Sequence, residues 1–135
     1  MTKEQTLSMI KPDAVQRNLI GPIISLIEAS NLVIKQMKML QLSIEQAENF
    51  YRIHKDRDFY SKLIEYMTSG CVVVLALEGD NAIKVYRDLM GSTNPLEAKE
   101  GTIRRLYGTN ITHNSVHGSD SIDNAKIEIE FFFKD

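Results

Sequence analysis

The feature that most constrains this chain of 135 residues is its longest uninterrupted apolar run, residues 71–77, with the sequence CVVVLAL. The run is short and rich in β-branched side chains, which is typical of a central strand buried on both faces of a sheet. A helix that crosses a membrane needs roughly 20 apolar residues, so the segment predicts a strand and not a membrane span. Other elements of the chain must therefore cover this strand.

The first 42 residues predict two strands with a helix between them. Residues 6–11 predict the first strand, which ends at a turn over Pro12-Asp13, and residues 32–42 predict the second. The imperfect alternation of the second strand predicts a bulge or a late end. A helix that stops at Asn31 lies between them, because four isoleucines recur there at helical spacing: Ile20, Ile23, Ile24 and Ile27.

Helix signals dominate the rest of the chain. Ser43 and Gln46 match a capping box, in which each side chain satisfies a free backbone N–H at a helix start. A second helical stretch covers residues 59–69, and Asp80 is predicted to cap a helix over residues 81–90. A loop is predicted after it at residues 91–101, followed by one helical turn at 103–106. The sequence also predicts a short strand near Val116 and a last helix at 119–133.

This order of elements predicts an α+β fold. The order strand, helix, strand, helical insert, strand, helix and short fourth strand suits a ferredoxin-like βαββαβ core with an antiparallel sheet. We expect the helices to pack on one face of that sheet, with a further helix at the C-terminus. The length suits one compact domain over residues 1–135.

Charge and cysteine content narrow the possible functions. The chain has 16 basic and 18 acidic side chains and a formal net charge of −2, whereas a general grip on DNA or RNA needs a basic surplus or stripe. Its single cysteine rules out an internal disulfide and argues against a Cys-based zinc site. The start, MTKEQTLSMIKPD, contains no apolar stretch of signal-peptide length, so a cytoplasmic location is expected.

The sequence contains no glycine-rich phosphate loop. Neither GxxxxGK[ST] nor GxGxxG occurs, and the 7 glycines are scattered. If the chain binds a nucleotide, side chains must therefore do the work of such a loop. Three cationic residues stand where they could converge on a pocket: Lys11, Arg87 and Arg104. Phe59 is either a core aromatic or a stacking platform, which would accept any base because every base has a π-face.

Two of the three histidines leave several interpretations open. His113 and His117 are four residues apart, which on a helix would suit two metal ligands, but the sequence between them is not helical and no third ligand is evident. Both can equally be solvated loop residues. Alternatively, His117 is a nucleophile or an acid/base, because imidazole is largely neutral and nucleophilic near neutral pH. Ser119, Asp120 or Glu128 would then orient its ring.

Six segments, in order and with compatible spacing, give the chain a resemblance to the nucleoside diphosphate kinase family. The most specific is NSVHGSDS at residues 114–121, which resembles the active-site signature N-x-[VI]-H-G-S-D-S of the family. The others are IKPD at 10–13, FYxxH with FY downstream at 50–60, MTSG at 67–70, LMGSTNP at 89–95 and GTIR at 101–104. Together they cover nearly the whole chain.

The resemblance implies transfer of the γ-phosphate of a nucleoside triphosphate, mainly ATP, to nucleoside diphosphates, in a ping-pong reaction through a phosphohistidine at His117. It implies that Glu128 and Ser119 orient this ring. Three residues would contact the sugar hydroxyl or the transferring phosphate: Lys11, Tyr51 and Asn114. Four would hold the outer phosphates: Arg87, Thr93, Arg104 and His54. Three apolar side chains would meet the base: Phe59 by stacking, Ile111 and Leu63.

The same resemblance implies Mg²⁺ as the cofactor, with few or no ligands from the protein. It implies nucleoside triphosphates and diphosphates as ligands and self-assembly into a homotetramer or a homohexamer; neither a membrane nor a specific nucleic acid is expected as a partner. An alternative from another class is a nucleotide-binding module that does not turn over, because a fold does not determine a function. A non-catalytic relative would be expected to have lost part of the residue set that this chain retains.

Three places depart from the commonest pattern of the family. Ala14 stands where glycine is frequent, Tyr107-Gly108 replaces a more usual Phe-Ala-like pair, and Thr112-His113 is not a family hallmark. None of them belongs to the residues assigned to the site.

Overall fold

Four antiparallel strands form the sheet of the computed structural model, which describes residues 3–111 and 113–133. The strands are β1 (Lys3–Ile10), β2 (Val33–Leu40), β3 (Val72–Asp80) and β4 (Val116–Gly118), in the order β2-β3-β1-β4. The strand order and the helices packed on the sheet confirm the α+β, ferredoxin-like prediction. Thr112, one of the departures noted above, lies outside the described residues.

Seven α-helices connect and cover these strands within the described residues. Their bounds are α1 (Pro12–Gln16), α2 (Ile20–Ala29), α3 (Ile44–Phe50), α4 (Tyr60–Met67), α5 (Ala82–Met90), α6 (Ile103–Tyr107) and α7 (Ile122–Phe133). None of the helices in this part of the chain is long and apolar enough to cross a membrane. The capping box at α3 is confirmed, since Ser43 accepts from the Gln46 N–H and the Gln46 side chain accepts from the Ser43 N–H.

The central position predicted for the apolar run is also confirmed. β3 lies between β2 and β1, and its first six residues are buried. β1 begins at Lys3, three residues before the predicted start, because its polar first residues pair with the end of β3. The bulge predicted in the second strand occurs between Ile34 and Gln36.

Helices cover both faces of the sheet, so the expectation that they pack on one face is wrong. Alternate residues of β3 point to opposite faces and enter two separate apolar clusters. Val73, Leu75 and Leu77 belong to the first cluster, which includes side chains of α2 and α5. Val72 and Val74 belong to the second, which includes side chains of α3, α4 and α7. Each fully buried aliphatic side chain stabilises the fold by about 1.5–3 kcal/mol.

Two local predictions are wrong, and both concern residues at or shortly after the end of a strand. Pro12-Asp13 does not form a turn but opens α1, because proline at the first helical position needs no N–H partner and already has a helical φ. Asp80 does not cap α5, since it is the last residue of β3 and pairs with Lys3. Asn81 occupies the cap position instead, with a left-handed φ of 53° that asparagine tolerates well.

Candidate active site

The short strand β4 brings His117 to the edge of the sheet. It pairs with β1 alone, with His117 opposite Met9 and Gly118 opposite Ser8. A strand was expected near Val116, and this prediction is confirmed. Among the described residues no strand pairs with the other side of β4, so His117 lies on an edge strand of the sheet. Its side chain is nevertheless only 23% exposed.

Glu128 of α7 holds one ring nitrogen of His117. Nε2 of His117 donates to Oε1 of Glu128 at 3.2 Å, and Oγ of Ser119 donates to the same carboxylate oxygen at 2.7 Å. An ionised carboxylate can only accept hydrogen bonds, so Nε2 carries the proton and Nδ1 keeps its lone pair. The arrangement therefore leaves Nδ1 as the nucleophilic nitrogen of the ring.

Ser119 is itself fixed by the backbone of β1. Its Oγ accepts from the N–H of Leu7 at 3.1 Å, and its N–H donates to the carbonyl of Leu7 at 3.2 Å. A hydroxyl that accepts from one fixed partner and donates to another has little freedom to turn. Ser119 thus links the orientation of the Glu128 carboxylate to the central sheet.

Close packing beneath β4 also fixes the position of His117. A Cβ atom on Gly118 would lie 2.6 Å from Cε of Met90 and 2.7 Å from Cδ2 of Tyr86. Only glycine fits at that distance, so α5 can approach the strand directly. The Tyr86 hydroxyl is 2.6 Å from Oγ of Ser8, which ties α5 to β1.

Sequence reasoning missed a further neighbour of the histidine. The ring of Phe50, the last residue of α3, meets the ring of His117 edge to face, with 5.3 Å between their centroids. The only signal for it in the sequence is its place directly before Tyr51, in a segment that carried the resemblance. The contact restricts rotation of the His117 ring.

Lys11 and Asn114 form the second part of the site. Nζ of Lys11 donates to Oδ1 of Asn114 at 2.9 Å, and Nδ2 of Asn114 donates to the carbonyl of Thr93 at 3.1 Å. Lys11 is 9% exposed and Asn114 is 2% exposed. The structure therefore brings together a cation from the end of β1, an amide from the strand-entry loop and the backbone of the loop after α5.

Burial weakens the charged form of Lys11. Removal from water and, secondarily, the positive charge of Arg104 lower the pKa of its ammonium group to about 8, although the negative charge of Asp13 opposes both effects. Lys11 consequently remains mostly protonated at neutral pH, but its proton is held loosely. A bound phosphate would favour the charged form.

A strained turn separates Asn114 from His117. Ser115 has a left-handed φ of 76°, and the N–H of Val116 donates to the carbonyl of Asn114 at 2.9 Å. These features define a γ-turn with positive φ, which is rare and strained for a residue with a side chain. Nothing in the residue type of Ser115 signals this conformation, so sequence reasoning did not predict it.

Arg104 is held by two backbone carbonyls. Its Nη1 donates to Gly91 at 3.0 Å, and its Nη2 donates to Val116 at 2.9 Å. Its Nε is buried and has no hydrogen-bond partner among the described residues. Burial lowers the pKa of the guanidinium, the nearby charge of Tyr86 opposes this effect, and Arg87 adds to it. The guanidinium is positioned before any ligand arrives and retains a free donor.

Arg87 and Thr93 lie on the exposed side of the same region. Arg87 lines a cavity of about 550 Å³ together with residues on both sides of the loop after α5, including Gly91, Ser92 and Thr102. Thr93 is exposed in that loop and contributes its carbonyl to Asn114. The cavity gives an anion access to Arg87 from solvent.

Tyr51 brings a buried hydroxyl to the other side of the site. The residue is 7% exposed, and its hydroxyl has no hydrogen-bond partner among the described residues. Burial, and secondarily the charge of Glu128, raises the pKa of this phenol, so it stays protonated. The ring centroid of His54 is 6.4 Å from that of Tyr51 and 5.7 Å from that of Phe59, so the three rings form a row.

Two of the three apolar residues predicted to meet a base are exposed. Phe59 is 48% exposed and Ile111 is 59% exposed, whereas Leu63 is half-buried against the second apolar cluster. Ile111 lines a cavity of about 370 Å³ with Asn94 and Leu96, and Phe59 lies at the start of α4. The structure thus leaves the side chains of Phe59 and Ile111 open to solvent.

His113 does not join His117 in a common cluster. Its ring meets the ring of Tyr66 edge to face, with centroids 4.3 Å apart, and its backbone N–H donates to Asn110. Across the part of the chain that the structure describes, no three His, Cys, Asp or Glu side chains come together as a group able to hold a metal ion.

The structure is that of an α+β protein without a glycine-rich phosphate loop, in which a partly buried histidine lies at the edge of the sheet. Two buried cations, Lys11 and Arg104, are hydrogen-bonded to the backbone of the residues that lead to it. This arrangement suits an enzyme that transfers phosphoryl groups. Comparison with known proteins makes the class specific. The family model described as "Nucleoside diphosphate kinase" matches residues 4–135. The chain therefore belongs to the nucleoside diphosphate kinase family, and it transfers phosphate between nucleotides.

Relatives and solved structures agree with this assignment. A nucleoside diphosphate kinase of Campylobacter jejuni is 60% identical over 131 residues, which span 97% of this chain and 96% of the relative. One from Persephonella marina is 53% identical over 133 residues, spanning 98% and 95%. The structure of the Aquifex aeolicus enzyme superposes with a TM-score of 0.95 at 38% identity, covering 98% of this chain and 96% of that one. A Halobacterium salinarum enzyme solved in complex with CDP gives a TM-score of 0.95 at 40% identity, covering 99% and 90%.

Proposed function

We propose that the chain transfers the γ-phosphate of a nucleoside triphosphate, mainly ATP, to nucleoside diphosphates by a ping-pong mechanism with a phosphohistidine at His117. The observation that carries this proposal is the bond from Nε2 of His117 to Glu128, which leaves Nδ1 unprotonated and available. Imidazole in this state is a nucleophile at neutral pH without further activation.

The two half-reactions balance in atoms and electrons. In the first, the lone pair of Nδ1 attacks the γ-phosphorus, the bond from that phosphorus to the β,γ-bridging oxygen breaks, and the nucleoside diphosphate leaves. In the second, a terminal β-phosphate oxygen of the acceptor attacks the same phosphorus. The N–P bond then breaks and the lone pair returns to Nδ1. Glu128 stabilises the positive charge that develops on the ring in the first step.

Cationic side chains stabilise the transferring group. Phosphoryl transfer has a loose transition state with charge spread over three oxygens, so catalysis depends on positioning and electrostatic stabilisation. We assign Lys11 to the transferring phosphate. We assign Arg104, which has five N–H donors and gives two of them to backbone carbonyls, to an outer phosphate. Arg87, Thr93 and His54 complete the set that holds the outer phosphates.

The sugar hydroxyl has two partners in this proposal. Asn114 and Lys11 are already hydrogen-bonded to each other at 2.9 Å, so a hydroxyl placed between them could exchange into that bond. We also assign to the sugar hydroxyl or the transferring phosphate the hydroxyl of Tyr51, which has no hydrogen-bond partner among the described residues. Buried polar groups that lack a partner are costly, and a ligand that supplies one binds more tightly for that reason.

The base lies against apolar side chains and is not read by hydrogen bonds. We assign stacking to Phe59, closure of the opposite face to Ile111, and the lining between them to Leu63. Stacking on an aromatic ring accepts every base, since each has a π-face. Broad tolerance of the base suits an enzyme that equilibrates nucleotide pools.

Mg²⁺ is the proposed cofactor. Because Mg²⁺ usually keeps several waters and is held through substrate phosphates, it needs no dedicated group of side chains. The described residues are compatible with such binding, since they form no metal cluster of their own and offer cations to the phosphates instead. The ion supplies charge neutralisation of the phosphate oxygens when it is bound.

We also propose a single domain over residues 1–135, a cytoplasmic location and assembly into a homotetramer or a homohexamer. The match of the family model from residue 4 to residue 135 supports the single domain. The exposed edge strand β2, with Val33, Met37 and Met39 each more than half exposed, is consistent with assembly.

Steady-state kinetics test the order of the two half-reactions. With ATP varied at several fixed GDP concentrations, a ping-pong enzyme gives parallel double-reciprocal lines. Two displacements at phosphorus also retain its configuration, which can be read with a chiral γ-phosphate. Intersecting lines together with inversion would indicate direct transfer and would contradict the phosphohistidine.

A further inference from the structure

A partly buried, hydrogen-bonded pair outside the assigned site supports the strained turn before His117. Tyr66 of α4 donates its hydroxyl proton to Oδ1 of Asp13, and the N–H of Asp13 in turn donates to the Tyr66 oxygen at 3.4 Å. The other carboxylate oxygen of Asp13 accepts from Oγ of Ser115 at 3.4 Å. Asp13 therefore joins α4 to the loop that leads into β4.

Asp13 and Ser115 are buried, and Tyr66 is partly buried. Asp13 is 9% exposed and Ser115 is fully buried, so a carboxylate at this place needs its hydrogen bonds. Burial raises the pKa of Tyr66, and its hydrogen bond to Asp13 raises it further, so the phenol remains a donor. The edge of the His113 ring packs on Tyr66 and holds it in place.

The turn that Asp13 contacts is coupled to Lys11 in two ways. The N–H of Lys11 donates to the carbonyl of Ser115 at 2.8 Å, and its Nζ donates to Asn114, the residue before Ser115. Ser115 keeps a positive φ, a strained state that persists only where the surroundings determine it. Movement of Ser115 would therefore shift both Asn114 and Lys11.

We propose that Asp13, braced by Tyr66, is a positioning residue that holds the Ser115 turn and so keeps Lys11 and Asn114 aligned for transfer. Neither Asp13 nor Tyr66 touches the reacting atoms in this account. Two charged groups face the Lys11 ammonium, Asp13 from α1 and Arg104 from α6, and they act on it in opposite directions. Asp13 thus also helps Lys11 to keep its proton. The inference rests on the roles proposed above for Lys11 and Asn114.

The first experiment compares Asp13→Asn with the wild-type enzyme. Loss of the carboxylate charge should make Lys11 lose its proton at lower pH, so the alkaline decline in kcat should begin at lower pH. Asp13→Asn should also lower kcat roughly tenfold at neutral pH, because a hydrogen bond to a charged group is lost. Asp123→Asn, at an exposed position of α7, is the matched control and should leave both quantities unchanged.

A direct titration separates this inference from the proposed mechanism. The ¹³Cε signal of Lys11, assigned by its absence in Lys11→Met, reports protonation without any turnover. A downward shift of this titration in Asp13→Asn supports the inference even if no phosphohistidine forms in the wild type. An unmoved titration together with an unchanged kcat would overturn it.

A double-mutant cycle tests the turn itself and does not need Asp13→Asn to fold. Tyr66→Phe removes the hydrogen bond that supports Asp13. It should lower kcat by a larger factor than it changes the KM for nucleotide. Tyr60→Phe, on the same helix, should not lower kcat. Ser115→Gly accepts a positive φ without strain, so Tyr66→Phe should cost several-fold less in that background. An equal cost of Tyr66→Phe in both backgrounds would overturn the role of the turn.

Discussion

The two ends of the candidate site are built in contrasting ways. At the phosphate end, Lys11 and Arg104 are each 9% exposed and Asn114 is 2% exposed, and all three are already hydrogen-bonded within the protein. At the base end, Phe59 and Ile111 are about half exposed. One end is organised before a ligand arrives, and the other stays open.

This difference matches the chemical demands on each end. Preorganised charges act on the transition state without the cost of reorganising at the moment of reaction. The base takes no part in the chemistry, so an open stacking surface is sufficient and leaves the choice of base broad. Burial of the phosphate end destabilises the free protein, since a cation such as Lys11 is removed from water.

The largest expected effect is at the phosphate end. His117→Ala should reduce transfer more than about 1,000-fold, because no other group can carry the phosphoryl group. His113→Ala is the matched control and should retain most of the activity. Circular dichroism and thermal unfolding would verify that both variants fold. Retention of a tenth of wild-type turnover by His117→Ala would rule out the covalent route.

Glu128→Gln tests how far the preorganisation depends on charge. The amide oxygen still accepts from His117 and Ser119, but the negative charge that stabilises the ring is gone. Because a hydrogen bond to a charged group contributes about 1.5–3 kcal/mol, kcat should fall roughly 10- to 100-fold. KM for nucleotide should change little. A variant with wild-type kcat would show that Glu128 only fills space.

Phe59→Ala tests the open end. Loss of base stacking should weaken nucleotide binding by about 1–3 kcal/mol, to a similar extent for ADP, GDP and CDP. Isothermal titration measures this directly, with Ile44→Ala as a control for an apolar side chain that is 64% exposed. If all three affinities are unchanged, Phe59 does not contact the base. Loss for one base alone would replace general stacking with recognition of that base.

The smallest expected effect is that of Lys11→Met on the free energy of unfolding, and this substitution should stabilise the protein. The pKa of Lys11 falls from 10.5 to about 8 on folding, so between these values the unfolded chain binds more protons and wild-type stability rises with pH. At pH 7, Lys11→Met should be more stable by about 1–2 kcal/mol, after loss of the bond to Asn114 is subtracted. The advantage should shrink above pH 8. Urea unfolding measures it, and a destabilised variant at pH 7 would contradict a cost of burying the charge.

The contrast between the two ends also explains what could be predicted from the sequence. The strand β3 was found from its apolar run, and helix α3 from its capping box, because local composition determines both. Helix α1 was missed, since Pro12 opens a helix as readily as it marks a turn. Helices on both faces of the sheet were missed because periodicity does not show which face a helix covers.

The site was predicted mainly through family resemblance, and its contacts depend on distant residues. Lys11 and Asn114 are 103 residues apart in the chain, and Asp13 and Tyr66 are 53 apart. No local pattern joins such pairs. The positive φ of Ser115 is likewise imposed by its surroundings and not by its residue type. The roles of the individual site residues remain predictions that the experiments above test.

The most direct test of the central claim is labelling of the protein with γ-³²P ATP and Mg²⁺ in the absence of an acceptor. We expect acid-labile, base-stable label on His117. When GDP is added, the label should pass to it and form labelled GTP. His117→Ala should take up none. A wild-type protein that binds ATP without becoming labelled, or label that persists in His117→Ala, would contradict the proposed mechanism.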